Sequence, residues 1–510
     1  MERPLRRASL FQLALVVLVV VTLATSTGTA VAAKSTTKVW PAMATFDPTI
    51  AWVPCHDTWE CGTLNVPVDW TTGGSDQVPL AVARHAATSP DERIGVLAVN
   101  PGGPGQGGVD YLPQLINRFP DTVLARFDIV TWDPRGTGHS RPVDCVDDAF
   151  LDTDTPIVPD TAAELTVARD YSAAFARGCT QRMGAYAGQV GTRNSARDLE
   201  AIRIALGEQQ LNYLGFSYGV VLGMTYAQMF PGAVRTMVLD GPPDYWQPSL
   251  EYAYAQAAGF KQAFDAFLDW CEQDQSCALR SVAPPREAFE SLRASLQTTP
   301  IAAEYTLDDV TRSGTVTEAT MANAVIGSMY DERWWPTLAD ALDLAARDGD
   351  GSGLLERADD FVGRHPDGTW DSLYEAFLTI NCVDRPDRAP RSAAHELADI
   401  LRFQNDLPPW GGSWATSGCV GMPKAAKGDK LGDVRVAGTP PVLVVATTGD
   451  PATPYSGAAG VVARIAGAGL LTFESTDHTA FGTGRSDCID AAVTSYLVDA
   501  TLPAPDTRCT

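Results

Sequence analysis

The sequence predicts an α/β fold: a doubly wound, mostly parallel sheet with an inserted, mostly helical cap. Three features of the chain lead to this prediction. Strand-like runs alternate with helical patterns from about residue 40 to 244, the pattern is then mostly helical to about residue 432, and two more strand-like runs follow. A sheet built from both ends of the chain, with helices between its strands, leaves the middle of the chain as an insertion.

The first part of the sheet is expected from short apolar runs that turn residues separate. Two of these runs predict a leading antiparallel pair, and the later ones predict parallel strands. They occupy residues 64–70, 78–85, 96–99, 127–132, 211–214 and 234–239. Residues 196–206 predict a helix between two of these strands, with Gly207 as its C-terminal cap.

The cap is expected to begin after Asp240-Gly241-Pro242-Pro243-Asp244, where the alternation of strands and helices stops. Residues 250–270 place several aromatic side chains near one helical face, and residues 321–330 and 335–346 show similar patterns. Residues 441–446 and 469–474 then predict the last two strands of the sheet. The predicted boundaries are 1–32 for a signal peptide, 40–244 for the first part of the core, 245–432 for the cap, and 433–510 for the second part of the core.

The N-terminus indicates export. Arg3, Arg6 and Arg7 precede an apolar run at residues 13–23, and Ala30-Val31-Ala32 offers a small-residue cleavage site. The apolar run is too short for a membrane span of about 18 or more residues. We therefore expect a secreted, extracellular protein with no membrane contact after cleavage.

Ten cysteines in an exported chain predict disulfides. Pairing between neighbours along the chain is the simplest pattern. It gives Cys55 with Cys61, Cys145 with Cys179, Cys271 with Cys277, Cys382 with Cys419, and Cys488 with Cys509. No zinc motif is complete, because His395-Glu396-Leu397-Ala398-Asp399 has aspartate where H-E-x-x-H needs its second histidine. We expect neither a metal nor a cofactor.

The formal net charge is −24. Such a charge repels phosphate backbones and anionic membranes, so nucleic acid is not an expected partner. It tolerates a cationic substrate, although acidity that only favours solubility explains the total equally well.

The motif that carries chemistry is Gly215-Phe216-Ser217-Tyr218-Gly219, between a strand-like run and a helix-like run at residues 220–230. A serine on a tight strand-to-helix turn is the nucleophile elbow of α/β hydrolases, and glycines on both sides give the turn the space that it needs. We therefore predict an α/β-hydrolase fold with Ser217 as its nucleophile.

The partners of Ser217 follow in the order that this fold requires, acid and then histidine. Asp450 comes just after the predicted strand at 441–446, where catalytic acids of this architecture lie, and His478 is the one histidine beyond it. We predict a catalytic triad of Ser217, Asp450 and His478.

A glycine-rich turn follows the strand at 96–99 and reads Asn100-Pro101-Gly102-Gly103-Pro104-Gly105. Small residues let backbone N–H groups face an oxyanion, so Gly102 or Gly103 should supply one donor and Tyr218 the other. A rival interpretation is a dinucleotide site, because residues 103–108 also satisfy G-x-G-x-x-G and Asp133 ends the next strand. That interpretation leaves the triad residues unexplained.

These motifs resemble the secreted tripeptidyl aminopeptidases of the prolyl-iminopeptidase branch of α/β hydrolases. The matching segments are residues 100–105, 132–140, 196–206, 215–219, 238–241 and 449–454. The resemblance implies release of short peptides, tripeptides in particular, from free N-termini, with the cap restricting access. Asn100 replaces the histidine that opens the prolyl-iminopeptidase turn, and Phe216 stands where a small residue is usual. A secreted carboxylesterase that uses the same triad is the alternative, and a non-catalytic binding protein is a third possibility.

Five further side chains receive specific predictions. We expect Asp133 and Arg135 to hold the loop after their strand, and a hydrogen bond from Thr453 to Asp450 is as plausible as a plain turn hydroxyl. An aminopeptidase must bind an ammonium group. Glu375 and Asp384, in a stretch that resembles the family's cap-to-core segment, are the candidates for that contact.

Overall fold

The computed structural model describes residues 46–385 and 392–510, so the predicted signal peptide lies outside the described residues. Its strands are β1 (Val53–Cys55), β2 (Trp59–Pro67), β3 (Gln77–His85), β4 (Gly95–Asn100), β5 (Phe127–Trp132), β6 (Leu211–Phe216), β7 (Val234–Asp240), β8 (Ile301–Leu307), β9 (Val310–Val316), β10 (Leu443–Thr447), β11 (Gly469–Phe473) and β12 (Arg508–Cys509). Ten of these strands form a single sheet in the order β1-β2-β3-β5-β4-β6-β7-β10-β11-β12.

The sheet is antiparallel at one edge and parallel elsewhere. Strands β1, β2 and β3 pair antiparallel, β3 also pairs antiparallel with β5, and all the following neighbours are parallel. The central parallel strands are buried along nearly their whole length, as a sheet covered on both faces requires. The predicted antiparallel pair and parallel strands are thus all present.

Strand order reverses at the centre of the sheet. The chain passes from β4 outward to β5 and then returns to the other side of β4 to form β6. The loops that leave the carboxyl ends of β4 and β6 therefore diverge, and a crevice opens between them, which is where open α/β sheets bind their ligands.

Helices cover both faces of the sheet and build the cap. They are α1 (Leu112–Leu115), α2 (Asp121–Arg126), α3 (Asp148–Leu151), α4 (Ala162–Met183), α5 (Thr192–Ala205), α6 (Tyr218–Met229), α7 (Ser249–Gln273), α8 (Pro285–Leu296), α9 (Glu318–Ser328), α10 (Trp335–Asp348), α11 (Ser352–Val362), α12 (Leu373–Asp384), α13 (Ala393–Asp406), α14 (Ser456–Val462) and α15 (Asp487–Asp499). One buried cluster joins α5 and α6 to the sheet, and a second joins α2 and α15 to its opposite face.

We use the word cap for the predicted range, residues 245–432, which the chain inserts between β7 and β10. Its helices share an aromatic core of their own, in which Phe264 packs 4.6 Å from Phe289 between ring centroids. The cap also contains the hairpin of β8 and β9, whose strands the sequence analysis did not predict. Most of the side chains of this hairpin are partly or fully exposed, so the hairpin lacks the apolar alternation by which a strand is recognised.

All five predicted disulfides are present. The Cys488–Cys509 bond ties α15 to the last strand, and Cys382–Cys419 joins α12 to the segment after α13. Within the described ranges, no helix has the length and apolar character needed to cross a membrane.

Candidate active site

Ser217 lies on the turn between β6 and α6. Its backbone has φ 54° and ψ −119°, a conformation that costs a residue other than glycine about 1–3 kcal/mol. Flanking glycines leave room for this turn. A Cβ on Gly215 would stand 2.4 Å from the Gly219 carbonyl oxygen, and one on Gly219 would stand 2.9 Å from that of Asn100. The turn has the geometry of a nucleophile elbow and leaves Ser217 half-buried at the edge of the crevice.

Asp450 and His478 are in direct contact. Nδ1 of the histidine lies 2.9 Å from each carboxylate oxygen of the aspartate. Asp450 follows β10 and His478 follows β11, so both reach the edge of the sheet at which β6 presents Ser217. The two side chains are almost removed from water, with 0% of Asp450 and 11% of His478 exposed.

The Asp450 carboxylate is held in a cradle of donors. Its Oδ1 accepts the backbone N–H groups of Ala452 at 2.9 Å and Thr453 at 2.7 Å, and its Oδ2 accepts the Thr453 hydroxyl at 2.8 Å. The hydrogen bond expected from Thr453 is therefore present. Together these donors fix the plane of the carboxylate toward His478.

Asp240 links the nucleophile turn to the loop that carries His478. The Ser217 N–H donates to the Asp240 carbonyl at 2.8 Å, while the Asp240 carboxylate accepts the N–H groups of Ala480 at 3.1 Å and Phe481 at 2.8 Å. The sequence analysis gave Asp240 no role. The available signal was an aspartate at the end of the strand next to β6.

The Ser217 hydroxyl makes no hydrogen bond with any described residue. Contacts between nucleophile and base in serine hydrolases are often long without substrate and tighten in the Michaelis complex. The backbone link through Asp240 nevertheless keeps the loops of Ser217 and His478 on adjoining strand ends.

Buried charge sets the protonation of this site. Burial disfavours the imidazolium, but the charge of Asp450, its hydrogen bond to Nδ1 and the charge of Asp240 together raise the pKa of His478 above 6.5. Burial also raises the pKa of Asp240 to about 7, against the effect of its two backbone donors. A general base must be neutral, so this arrangement predicts that activity falls as pH drops through the His478 pKa.

The glycine turn after β4 packs directly against the nucleophile. A Cβ on Gly102 would stand 2.6 Å from the Phe216 carbonyl oxygen and 3.1 Å from the Ser217 Cβ. The Gly102 N–H already donates to Asn100 Oδ1 at 3.2 Å, which leaves Gly103 as the better oxyanion donor of the predicted pair. The other predicted donor, the Tyr218 N–H, begins α6, where first-turn N–H groups have no partner within the helix.

Comparison with known proteins identifies the relatives of this chain. Residues 95–307 match the family model of the alpha/beta hydrolase fold, and residues 407–509 match that of TAP-like proteins. The tripeptidyl aminopeptidase of Streptomyces lividans is 31% identical, over 90% of this chain and 86% of that protein. The serine protease Hip1 of Mycobacterium tuberculosis is 33% identical over 90% and 91%, respectively, and carboxylesterase B of the same species is 34% identical over 91% and 90%.

The chain belongs to the tripeptidyl aminopeptidase family of α/β hydrolases. The matches extend through both parts of the sheet and through most of the cap, so the predicted fold class and the predicted family resemblance are both confirmed.

In this member of the tripeptidyl aminopeptidase family, Asp133 and Arg135 belong to two separate networks. The Asp133 carboxylate accepts the N–H groups of Val109 at 2.9 Å and His139 at 2.8 Å, so it holds two loops. Arg135 forms a fully buried, bidentate pair with Asp198, with both contacts at 2.7 Å. The structure thus gives both residues the loop-holding roles expected of them. The rival dinucleotide interpretation requires the Asp133 carboxylate to bind a ribose. In the structure, this carboxylate binds the two backbone N–H groups instead.

Glu375 and Asp384 both lie on α12 and are both buried, and their separation of nine residues places them on opposite faces of the helix. Glu375 accepts the backbone N–H groups of Cys145 at 2.8 Å and Val146 at 3.1 Å. Asp384 accepts the N–H of Thr192 at 3.0 Å and also the Thr192 hydroxyl. Burial raises the pKa of each carboxyl to about 7, against these donors.

Among the described residues, hydrogen bonds link Asp384, but not Glu375, to Tyr218 of the nucleophile turn. The Thr192 hydroxyl that contacts Asp384 also contacts the Tyr218 hydroxyl, whereas the partners of Glu375 lie beside the Cys145–Cys179 disulfide. Ammonium binding by either residue stays a prediction, and this geometry favours Asp384.

A single group of possible metal ligands is found in the described part of the chain: Cys55, His56 and Cys61. The two cysteines are bonded to each other, so neither offers the thiolate that binds a metal.

Proposed function

We propose that this chain is a secreted serine exopeptidase that releases short peptides, tripeptides in particular, from free N-termini. The observation that carries the proposal is the Asp450–His478 contact at the strand ends next to the strained Ser217 turn. A carboxylate, an imidazole and a serine in this order are the parts of an acyl-transfer site.

In the proposed reaction, the Ser217 hydroxyl attacks the carbonyl carbon of the third residue of the substrate. His478 Nε2 accepts the hydroxyl proton as the Oγ–C bond forms, and Asp450 stabilises the resulting imidazolium through Nδ1. His478 then donates that proton to the leaving nitrogen, the peptide bond breaks, and the N-terminal fragment remains as an ester on Ser217. A water molecule, deprotonated by His478, hydrolyses the ester and restores the serine.

The tetrahedral intermediate of this reaction carries a negatively charged oxygen. We assign the Gly103 and Tyr218 N–H groups to it. The Gly102 N–H, also a candidate from the sequence, has Asn100 as its partner. Loss of one such donor typically lowers kcat by about 10²–10³.

The cap supports the choice of an exopeptidase. The first turns of α12 pack on the glycine turn, since a Cβ on Gly105 would stand 2.8 Å from the Leu373 carbonyl oxygen. A cap that meets the oxyanion turn restricts that side of the crevice, which agrees with a substrate that ends in the site rather than passing through it. Asp384, which the Thr192 hydroxyl links to Tyr218, is the favoured candidate for binding the substrate's ammonium group.

The proposed location of the protein rests on its N-terminal sequence and its disulfides. We propose that residues 1–32 direct export and are removed. Five disulfides in the described residues agree with a chain that folds outside the reducing cytoplasm.

The experiment that tests this function compares a peptide with a free N-terminus and the same peptide after N-acetylation, with products identified by mass spectrometry. An exopeptidase that binds the ammonium group releases a tripeptide from the free peptide and little or nothing from the acetylated one. Equal cleavage of both peptides would reject the exopeptidase proposal. Cleavage of neither peptide, together with hydrolysis of a nitrophenyl ester, would favour the carboxylesterase alternative, to which the similarity to carboxylesterase B also points.

A further inference from the structure

Both the cap and the core contact the loop that carries His478. We call residues 474–486, between β11 and α15, the histidine loop. The core holds it through Asp240, as described above. The cap holds it through residues 330–332, the connection between α9 and α10.

Tyr330 makes the first set of contacts between the cap and the histidine loop. The His478 N–H donates to the Tyr330 carbonyl at 2.9 Å. The Tyr330 ring also stands edge-on to the imidazole, with ring centroids 5.2 Å apart and an interplanar angle of 81°. One cap residue therefore contacts both the backbone and the ring of the predicted general base.

Glu332 makes the second set of contacts between the cap and the histidine loop. Its carboxylate accepts the Thr476 hydroxyl through one oxygen and pairs with Arg485 at 2.8 Å through the other. Its backbone N–H donates to Asp477 at 3.1 Å, and Asp477 pairs in turn with Arg485 at 2.8 Å. Glu332 thus ties together two points of the histidine loop, one on each side of His478.

We propose that Glu332 is a positioning residue for His478, so that the general base is aligned only while the cap is docked on the histidine loop. This inference rests on the triad proposed above. Glu332 itself contacts no triad side chain among the described residues, so its effect must pass through the loop. Without its carboxylate, Thr476 and Arg485 lose their shared acceptor and the imidazole is less firmly held relative to Ser217.

The chain offers a matched control. Glu474 opens the histidine loop and pairs with Arg508 of β12 at 2.7 Å, with side chains 46% and 51% exposed. The Glu332–Arg485 pair is similar, at 2.8 Å with 35% and 29% exposed. Both are partly exposed glutamate–arginine pairs at the same loop, and of these two glutamates Glu332 is the one that connects the loop to the cap.

The experiment measures how fast an organofluorophosphonate labels Ser217, together with kcat and KM for a tripeptide anilide and a nitrophenyl ester. We expect Glu332→Ala to slow labelling and to lower kcat on both substrates by one common factor, between about 10-fold and about 100-fold. The larger figure corresponds to a displacement of about 1 Å. The labelling endpoint should remain one equivalent and KM should stay near the wild-type value. Glu474→Ala should match wild type in every measurement.

The endpoint separates positioning from simple loss of structure, because unfolded molecules would lower the labelled fraction and not the rate of the folded remainder. Thr476→Val removes the same hydrogen bond from the loop side and should also slow labelling, which keeps the test open if Glu332→Ala does not fold. Labelling at the wild-type rate in either folded variant would overturn the proposal. Loss of the anilide activity alone would also overturn it, because it would make Glu332 a substrate-binding residue.

Failure of the underlying triad gives a different result. Wild-type protein that is not labelled at Ser217 would reject the serine-hydrolase mechanism itself. A labelled Ser217 with unaffected Glu332 variants would reject the positioning role alone.

Discussion

Replacing Asp450 by asparagine should reverse the tautomer of His478. The carboxylate oxygen Oδ1 accepts two fixed backbone N–H groups, from Ala452 and Thr453, so an asparagine would keep its carbonyl oxygen at that position. Its NH₂ group would then occupy the position of Oδ2, 2.9 Å from His478 Nδ1, and would favour the tautomer in which Nδ1 accepts a hydrogen bond. The imidazole proton would move to Nε2, the atom that must take the proton from Ser217.

The expected loss is the sum of a wrong tautomer and a missing charge. Removing the corresponding charge from a Ser-His-Asp triad lowers kcat by about 10⁴ with the geometry intact, which equals about 5.5 kcal/mol of transition-state free energy. Thermal unfolding should change little, because asparagine can keep the backbone hydrogen bonds of the cradle. Steady-state kinetics on a tripeptide anilide measures the loss.

Asp433→Asn is the matched control for this experiment. Asp433 is an exposed aspartate in the same part of the chain that pairs with Arg435 and Arg464, and its side chain is 57% exposed. The control should keep wild-type kcat. Wild-type kcat in Asp450→Asn together with an inactive Asp433→Asn would show that the acid is wrongly assigned.

Three further predictions concern the surroundings of the triad. Asp240→Asn removes a charge that helps raise the pKa of His478, so the acid limb of the profile of kcat/KM against pH should move to lower pH; an unchanged limb would contradict this electrostatic link. Asp384→Asn should lower kcat/KM on a free-amine anilide by an amount equivalent to about 2–3 kcal/mol, the scale of a charge-assisted hydrogen bond, with little effect on a nitrophenyl ester. Glu375→Gln should affect both substrates alike. The opposite pattern would transfer the ammonium contact to Glu375. Thr453→Val removes one donor from the acid and should lower kcat by about tenfold, corresponding to roughly 1.4 kcal/mol; full activity would mean that the two backbone donors are enough to orient the acid.

Local patterns made the sheet and the Asp450–His478 contact predictable. The central strands are short and mostly apolar, and Ser217, Asp450 and His478 each follow such a strand within a few residues. Because parallel strands end at one edge, sequence order alone brings the acid and the histidine close together, and the structure places them 2.9 Å apart. The disulfides followed from counting neighbours along the chain.

Contacts between distant parts of the chain were not predictable. The hydrogen bond from Thr476 to Glu332 spans 144 residues, and that from Ala480 to Asp240 spans 240. From sequence alone, an aspartate or glutamate at the end of a strand or in a loop is expected to face solvent. Only the folded structure shows that it is buried or that it bonds to a distant segment of the chain. The carboxylates of α12 show the same limit, since the sequence located Glu375 and Asp384 and the fold determined which groups each one faces.

The hairpin in the cap was missed for a different reason. Strands β8 and β9 expose most of their side chains, and Asp308 and Asp309 form the turn at positive φ. A polar, exposed pair of strands satisfies its own backbone hydrogen bonds without the alternation that marks a half-buried sheet. Such a pair of strands is recognised only from its backbone hydrogen bonds in the folded structure.

The most direct test of the account is the site of covalent labelling. Purified protein treated with an organofluorophosphonate should gain one label per chain, and peptide mapping should place that label on Ser217. The Ser217→Ala variant should gain no label. Its kcat on the tripeptide anilide should fall at least about 10⁴-fold, since removal of the nucleophile leaves only binding and oxyanion stabilisation. A label on another residue, or a Ser217→Ala protein with wild-type turnover, would contradict the account.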